Sequence, residues 1–259
     1  MGRRASRRFL LDFVSHCEYY RPLPRRAGLT AVAPSSPADE GEEGSRGSDM
    51  KRLFVAIFGL MLASQAAAQA PVGKGWVALF NGKDLSGWVN NGQEKWIAED
   101  GTILGESTVG HYGYLTTEKT YSNFMLRLRF KPETDGNSGV FTRSRITGNS
   151  PQSGPDIEGM QVEVDPTRNT GSIYESGHRG WVAMGTPACE HAIKPREWND
   201  LEITEEGLHY VTRLNGVPCV DFTDPHPNFT EGVIGLQLHT GGGVKIRFKD
   251  IYLKPLPAN

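Results

Sequence analysis

Two segments of the chain each place several polar side chains on one face of a predicted β-strand. These side chains are Gln161, Glu163 and Asp165 in the first segment, and Gln237 and His239 in the second. Successive side chains of a strand point to opposite faces, so the polar groups share one face and valines or leucines occupy the other. A carboxylate and an imidazole can act as general base and general acid, and Gly235 leaves room for a ligand beside the amides. For each strand taken alone, an ordinary solvated face is the alternative.

Four further side chains are candidates for binding a substrate. They are Arg143, Glu158, Tyr174 and Trp181. Strand alternation places Arg143 on the face of Gly139 and Phe141, where its guanidinium could hold a carboxylate or a sugar oxygen through two hydrogen bonds. A surface ion pair is the alternative for Arg143, and a solvated loop carboxylate is the alternative for Glu158. Trp181 could stack on a sugar ring or fill the core.

The elements that must position these residues have the pattern of short β-strands. Apolar and polar residues alternate in 124–131, 201–204, 209–214 and 245–249, and Asn215-Gly216 supplies a hairpin turn. No window carries a convincing apolar helix stripe. Many strands without crossover helices predict an all-β fold, namely an antiparallel two-sheet β-sandwich or jelly roll.

Composition limits the classes of protein to which the chain can belong. Its 259 residues are 37% hydrophobic and 22% charged, with a formal net charge of −2. These values exclude a disordered polyanion and a multi-span membrane protein. The near-neutral charge argues against nucleic acid as a partner, because phosphate binding needs a basic face. Three cysteines are too few for a disulfide scaffold, and Cys189 and Cys219 either pair or remain two small buried thiols.

The first quarter of the chain is expected to lie outside the fold. Residues 1–49 are arginine-rich and then rich in Pro, Ser, Gly and Glu, without strand or helix periodicity, so they are expected to be disordered or untranslated. Met50 opens a charged segment, followed by an apolar run over 53–63 and small residues, which is typical of a signal peptide over 50–68. We therefore expect translation to start at Met50. Residues 69–259 are expected to form one periplasmic or extracellular domain, without stable membrane insertion after cleavage.

Seven stretches of the chain, taken in order, resemble a known family. They are 75–88, 137–143, 159–165, 197–203, 214–217, 235–239 and 245–251. The first has the sequence GWVALFNGKDLSGW, and the sixth has the sequence GLQLH. On these motifs the chain resembles the 3-keto-disaccharide hydrolase domain family from about residue 75 to 256. The resemblance implies a concanavalin-like sandwich, usually exported, that cleaves glycosides already oxidised at C3 by a hydrolase or lyase route.

The resemblance also implies a chemistry for the candidate residues. A 3-keto group acidifies the C2 proton, so a base can remove that proton while the C1 substituent leaves, and water can then add. Such a site needs a base near C2, an acid near the glycosidic oxygen and donors for the enolate oxygen. Glu163 or His239 is expected to be the base or the acid, with Asp165 on the same face. Arg143 and Gln237 are expected to bind sugar or enolate oxygens.

The chain departs from the family pattern at one point. Relatives often carry Glu and then Gln where this chain has Gln161 and then Glu163, so the carboxylate stays on the same face but moves by two residues. Glu163, Asp165 and His239 could also hold a divalent cation. The chemistry further implies a sugar 3-oxidoreductase acting earlier in the same pathway, since the 3-keto substrate must be supplied.

Two other functions remain open from the sequence. A retaining glycosidase of the laminarinase type carries Glu-x-Asp-x-x-Glu on a strand, but here Glu163 and Asp165 are followed by Arg168 at the third position. A non-catalytic carbohydrate-binding module is the second alternative, because lectins share the same sandwich and fold does not fix function.

Overall fold

The computed structural model describes residues 73–257, which form β-strands and one short helix. In chain order the elements are β1 (Val77–Ala78), β2 (Trp88–Asn91), β3 (Lys95–Glu99), β4 (Thr102–Glu106), β5 (Gly113–Thr117), β6 (Phe124–Pro132), β7 (Ser138–Ser150), β8 (Gly154–Val164), β9 (Ile173–Ser176), β10 (Gly180–Ala183), α1 (Pro187–Glu190), β11 (Asn199–Glu206), β12 (His209–Leu214), β13 (Val217–Thr223), β14 (Val233–Leu238) and β15 (Lys245–Pro255). The predicted extension 1–49 and signal peptide 50–68 lie outside the described residues.

The strands form two antiparallel sheets. The eight-stranded sheet has the order β13-β12-β11-β6-β15-β4-β3, with β1 paired to β15. The seven-stranded sheet has the order β10-β9-β8-β7-β14-β5-β2. The predicted all-β, two-sheet antiparallel sandwich is therefore confirmed. Within residues 73–257, no helix is long and apolar enough to cross a membrane.

The main core lies between the two sheets. Alternate side chains of β6 point into it, as do alternate side chains of β8 and β14. These are Phe124, Leu126, Leu128 and Phe130 from β6, Val162 and Val164 from β8, and Leu236 and Leu238 from β14. Each is at most 2% exposed, and burial of each contributes roughly 1.5–3 kcal/mol. Because the valines of β8 and the leucines of β14 point inward, the residues between them on these two strands point to the outer face of the seven-stranded sheet.

The long hairpin formed by β7 and β8 is bent by two irregularities. Its register shifts between Thr142 and Arg145 and again between Ile146 and Gly148. Arg143, in the first of these bulges, has a φ of 45°, in the left-handed region. Bulges bend a strand and increase its twist. As a result the distal half of the hairpin turns across the outer face of its own sheet.

The tip of this hairpin rests on the β5–β2 edge of the sheet. The carbonyl of Ser153 accepts a hydrogen bond from the backbone N–H of Tyr112 at 2.7 Å. The ring of Pro155 fills the space beside Gly92, where an added Cβ would lie 3.0 Å from the proline. These contacts attach the hairpin to β5 and β2, which lie three and four positions from β8 in the sheet.

The same hairpin occupies the room beside Gly235. Ile157 packs against Tyr114 and Phe141 on the outer face, and all three side chains are at most 3% exposed. A Cβ added to Gly235 would lie 3.6 Å from Cδ1 of Ile157 and 3.4 Å from Cβ of Phe141. The expectation that Gly235 leaves room for a ligand is wrong, because the hairpin fills that space.

A disulfide joins α1 to β13. Cys189 and Cys219 are bonded with their Cα atoms 5.0 Å apart, which settles the alternatives that the sequence left open. Thr186 caps the helix, since its hydroxyl accepts the N–H of Cys189 at 3.2 Å. The two cysteines are 30 positions apart in the sequence, and the bond contributes about 3–4 kcal/mol to stability because it restricts the unfolded chain. Its sulfur atoms pack against Gly171, in the turn that follows β8.

Candidate active site

Strand register gathers polar side chains on the outer face of the seven-stranded sheet. Glu163 pairs with Gly139 across β8 and β7, and Gln161 pairs with Phe141. On the next strand Gly235 pairs with Phe141, so Gln237 lies opposite Gly139. We call the residues that meet there the Glu163 cluster. Its members are Tyr112, Asn137, Gln161, Glu163, Gln237 and His239.

Glu163 is the centre of this cluster and is 5% exposed. Its carboxyl group accepts a hydrogen bond from the Gln161 amide at 2.8 Å and another from the Asn137 amide. Burial, followed by repulsion from Asp165, raises the pKa of Glu163 to about 8, although the hydrogen bond from Asn137 acts in the opposite direction. Near neutral pH the group is therefore largely protonated, which is the state that a general acid requires.

Gly139 explains how Gln161 reaches Glu163. A Cβ added at Gly139 would lie 2.6 Å from Nε2 of Gln161, so only glycine lets the amide lie flat over β7. Gly139 thereby allows the Gln161 amide to donate a hydrogen bond to the carboxyl group of Glu163, two residues further along β8.

His239 and Tyr112 form a second pair within the cluster. Nε2 of His239 lies 3.4 Å from the Tyr112 hydroxyl, and their rings meet edge to face with centroids 4.9 Å apart. Nδ1 of His239 lies 3.0 Å from the carbonyl oxygen of Thr240, which can only accept a hydrogen bond. The proton of a neutral imidazole therefore belongs on Nδ1, and Nε2 is left as the basic nitrogen facing the cluster. The backbone N–H of His239 also donates to the carbonyl of Asn137 at 3.3 Å.

Two buried amide oxygens of the cluster have no protein partner among the described residues. They are Oδ1 of Asn137 and Oε1 of Gln237. Gln237 is 3% exposed, and its side chain hydrogen-bonds the hydroxyl of Tyr114. An unpaired buried acceptor costs about 1–3 kcal/mol. Hydroxyl groups of a bound polyol would satisfy both oxygens.

A buried carboxylate holds the loop that leads to Tyr112. Glu94 is 1% exposed and accepts the backbone N–H groups of Thr108, Val109 and His111. Burial alone would raise the pKa of Glu94, but these hydrogen bonds outweigh it and hold the pKa below its usual range. The ionised carboxylate thus fixes the backbone immediately before Tyr112.

Tyr174 and Trp181 continue the outer face toward the β10 edge. Gln161 pairs with Tyr174, and Tyr174 pairs with Trp181. The two aromatic rings meet edge to face, with centroids 5.2 Å apart. Trp181 is 44% exposed. The structure therefore brings both predicted binding residues beside the Glu163 cluster.

Arg143 does not reach the outer face, and its predicted place there is wrong. The bulge turns its side chain inward, where it is 1% exposed. The guanidinium donates at 2.7–3.2 Å to the carbonyl oxygens of Ser122 and Gly207 and to the side-chain oxygens of Asn123 and Tyr210. It also forms an ion pair with Glu205 of β11 at 3.0 Å. Arg143 therefore joins the two sheets and anchors the bulge from which the hairpin bends.

Glu158 and Asp165 form their contacts with residues outside the Glu163 cluster. Glu158 forms an ion pair with His178 at 3.4 Å. Asp165 follows the end of β8, and its Oδ1 accepts from the backbone N–H and the hydroxyl of Thr167 at 2.8 and 2.6 Å. Asp165 therefore stabilises a turn and acts on Glu163 through its charge.

The predicted metal-ligand set is not assembled. Throughout residues 73–257, no three His, Cys, Asp or Glu side chains come together to hold a metal ion. Glu163, Asp165 and His239 therefore do not form a metal centre, because Asp165 is turned into its own loop and Glu163 is held by amides.

Some members of the site were missed by sequence reasoning. Asn137 had a local signal, since it opens the turn into β7, and Tyr112 lies beside His111 in a glycine-rich loop. Glu94 had no such signal. Its role depends on hydrogen bonds to a loop more than a dozen residues away, and no pattern in the sequence marks that contact.

Residues 75–254 match the model of the 3-keto-alpha-glucoside-1,2-lyase-like domain. The chain belongs to this family. The resemblance stated from the sequence motifs is thereby confirmed, and the family match covers the whole Glu163 cluster.

One curated relative and two solved structures illustrate the likeness. A 3-keto-disaccharide hydrolase from Bacteroides thetaiotaomicron is 31% identical over 175 residues, covering 56% of this chain and 57% of that protein. The chain thus matches little more than half of the relative's length. A protein from Parabacteroides distasonis is 22% identical with a TM-score of 0.53, covering 71% of this chain and 94% of that chain. A Bacillus subtilis protein with a galectin-like fold is 14% identical with a TM-score of 0.55, covering 68% and 92%. The two structures support the fold alone.

Proposed function

We propose that the protein is an exported enzyme that cleaves glycosidic bonds of sugars carrying a keto group at C3. Family membership and the name of the Bacteroides relative support this substrate class. The observation that carries the proposal is a buried carboxyl group, Glu163, which two amides hold in the same cluster as Nε2 of His239. Burial raises the pKa of Glu163 to about 8, which favours its protonated form.

The proposed reaction begins with removal of the C2 proton by Nε2 of His239. The electron pair of the C2–H bond forms a C2=C3 double bond as the C3 carbonyl becomes an enolate. The enolate then re-forms the carbonyl, its electron pair forms a C1=C2 double bond, and the C1–O bond to the leaving group breaks. Glu163 donates its proton to the departing oxygen, so the leaving group departs as a neutral alcohol. Oε1 of Gln237 and Oδ1 of Asn137 accept hydrogen bonds from hydroxyl groups of the sugar, and the hydroxyl of Tyr112 donates a hydrogen bond to the enolate oxygen.

The second half of the reaction decides its outcome. Water adds at C1 and gives its proton to the Glu163 carboxylate. C2 regains a proton from the imidazolium of His239, whose N–H exchanges with solvent in the meantime, which gives the free 3-keto sugar. The net result is hydrolysis. If the unsaturated sugar leaves before water adds, the same site acts as a lyase.

Export is part of this proposal. The sequence over 50–68 has the pattern of a signal peptide, and a disulfide between Cys189 and Cys219 suits an oxidising compartment. We place the enzyme in a periplasm or outside the cell, downstream of an oxidoreductase that oxidises C3 of the sugar.

A comparison of oxidised and unoxidised substrates tests the proposed function. Purified protein is incubated with a 3-keto glucoside and, separately, with the unoxidised glucoside, and release of the leaving group is followed. We expect release from the keto form alone, because only a keto group at C3 acidifies the C2 proton. Equal release from both substrates would indicate an ordinary glycosidase. Binding of glycans without any release would favour the lectin-like alternative.

A further inference from the structure

The outer face of the seven-stranded sheet is closed toward its β5–β2 edge. The β7–β8 hairpin crosses that part of the face, and Ser153 and Pro155 at its tip contact Tyr112 and Gly92. Beneath the hairpin, Phe141 is 0% exposed although it points away from the main core. A ligand in the cluster therefore cannot extend in this direction.

The same face is open toward its β10 edge. Trp181 is 44% exposed on this edge strand, one strand beyond Tyr174 and two beyond Gln161. At a strand spacing of about 4.8 Å, the tryptophan lies roughly 10 Å from β8. Its ring meets Tyr174 edge to face, so the pair forms an aromatic corner at the open edge.

The positions of His239 and Glu163 give the bound sugar an orientation between the closed side and the open edge of this face. His239 follows β14, on the closed side of the cluster, whereas Glu163 belongs to β8, nearer the open edge. In the proposed function the base faces C2 of the keto ring and the acid faces the glycosidic oxygen on C1. The keto ring must therefore lie on the closed side, with its C1 substituent directed toward Tyr174 and Trp181.

We infer that Trp181 with Tyr174 forms the binding site for the departing sugar, so that the keto sugar is released from one end of a saccharide. This inference rests on the proposed function and adds a leaving-group site to it. The apolar face of a pyranose can cover an exposed indole, and such contact with an aromatic side chain favours a sugar over a small alcohol as the leaving group.

Substrates that differ only in their leaving group test the inference. The wild-type protein and Trp181→Ala are compared on 3-keto maltose and 3-keto cellobiose, and on the methyl 3-keto α- and β-glucosides. We expect Trp181→Ala to lower kcat/KM about tenfold for the accepted disaccharide, chiefly through KM, and less than about twofold for the matching methyl glycoside. Met184→Ala is the matched control, because Met184 is 52% exposed just after β10 and lies outside the proposed site.

A further substrate tests the closed end. A methyl 3-keto glucoside carrying a second glucose on O4 would have to pass beneath the hairpin, and we expect no release of methanol from it. Efficient cleavage of this substrate, or an equal loss with Trp181→Ala on disaccharide and methyl glycoside, would overturn the inference.

The binding of unoxidised sugars separates this inference from the proposed function. If the wild-type protein cleaves no keto glycoside, the proposed chemistry fails. In that case, titration of the protein with maltose, cellobiose and glucose, followed by tryptophan fluorescence, still tests whether the aromatic corner binds sugar. A disaccharide-specific change that Trp181→Ala abolishes supports the corner as a sugar site, and an unchanged titration in Trp181→Ala refutes it.

Discussion

Replacing Glu163 with glutamine is expected to lower kcat on a 3-keto glycoside by about 10²–10⁴-fold, the usual contribution of a general acid. Glutamine keeps the size of the side chain but cannot give a proton to the departing oxygen. The hydrogen bonds around position 163 can still form, because the Asn137 side chain can rotate and present its unpaired amide oxygen to the NH2 group of the new glutamine. The measurement is steady-state release of the leaving group, with binding of the substrate measured separately.

Glu158→Gln is the matched control for this substitution. Glu158 lies on the same strand but forms its ion pair with His178, outside the cluster, so we expect the activity of this variant to stay within about twofold of the wild type. Equal losses in the two variants would contradict the assignment of Glu163 as the acid. Sugar binding that is unchanged in Glu163→Gln, with no release by either protein, would favour a lectin.

The same variant has a distinctive pH profile. The pKa of Glu163 is raised to about 8, so activity that needs its protonated form falls as pH rises through that value. In Glu163→Gln this alkaline limb should disappear from the residual activity.

Stability changes in the same pH window. The native state holds the proton more tightly than the unfolded chain, so wild-type stability falls between about pH 4.5 and 8, and Glu163→Gln should be the more stable protein at pH 8.

Arg143→Met is expected to lower the free energy of unfolding by about 3–5 kcal/mol, because it leaves Glu205 buried without its cation. Glu205 is 1% exposed, and burial raises its pKa to about 7, against the opposing effect of Arg143. Loss of the arginine also releases the bulge that bends the β7–β8 hairpin, so we expect activity to fall with stability. Chemical denaturation near pH 8 measures the first effect.

Two further variants make this prediction specific. Arg145→Met, two residues along the same strand, removes an exposed arginine that stacks on Phe229, and we expect a change below about 1 kcal/mol. Combining Arg143→Met with Glu205→Leu removes both buried charges and should recover part of the lost stability. If Arg143→Met and Arg145→Met destabilise the protein equally, Arg143 is not the anchor described above.

Strand alternation predicted the parts of the site that depend on local geometry. Gln161, Glu163, Gln237 and His239 share a face because valines and leucines between them must be buried. The same rule failed at Arg143. There the backbone takes a φ of 45° and the side chain turns inward toward Glu205, a partner on the other sheet that alternation within one strand cannot reveal.

Other parts of the site depended on contacts between distant segments. Asp165 continues the polar face of 161–165 in sequence, but the strand ends at Val164 and the carboxylate binds Thr167 in the following turn. Ile157 and Pro155 close one side of the outer face because the β7–β8 hairpin folds back over its own sheet. Such a bend depends on two bulges whose positions have no strong sequence signature.

The fate of the C2 proton tests the central claim most directly. The protein is given a 3-keto glucoside in deuterium oxide, and the released keto sugar is examined for deuterium at C2 against 3-keto glucose incubated alone. Elimination followed by hydration predicts deuterium at C2 that accumulates with turnover and exceeds the exchange of the free sugar. Leaving-group release with the original hydrogen wholly retained at C2 would contradict this account, in which the imidazolium proton of His239 exchanges with solvent before C2 is reprotonated.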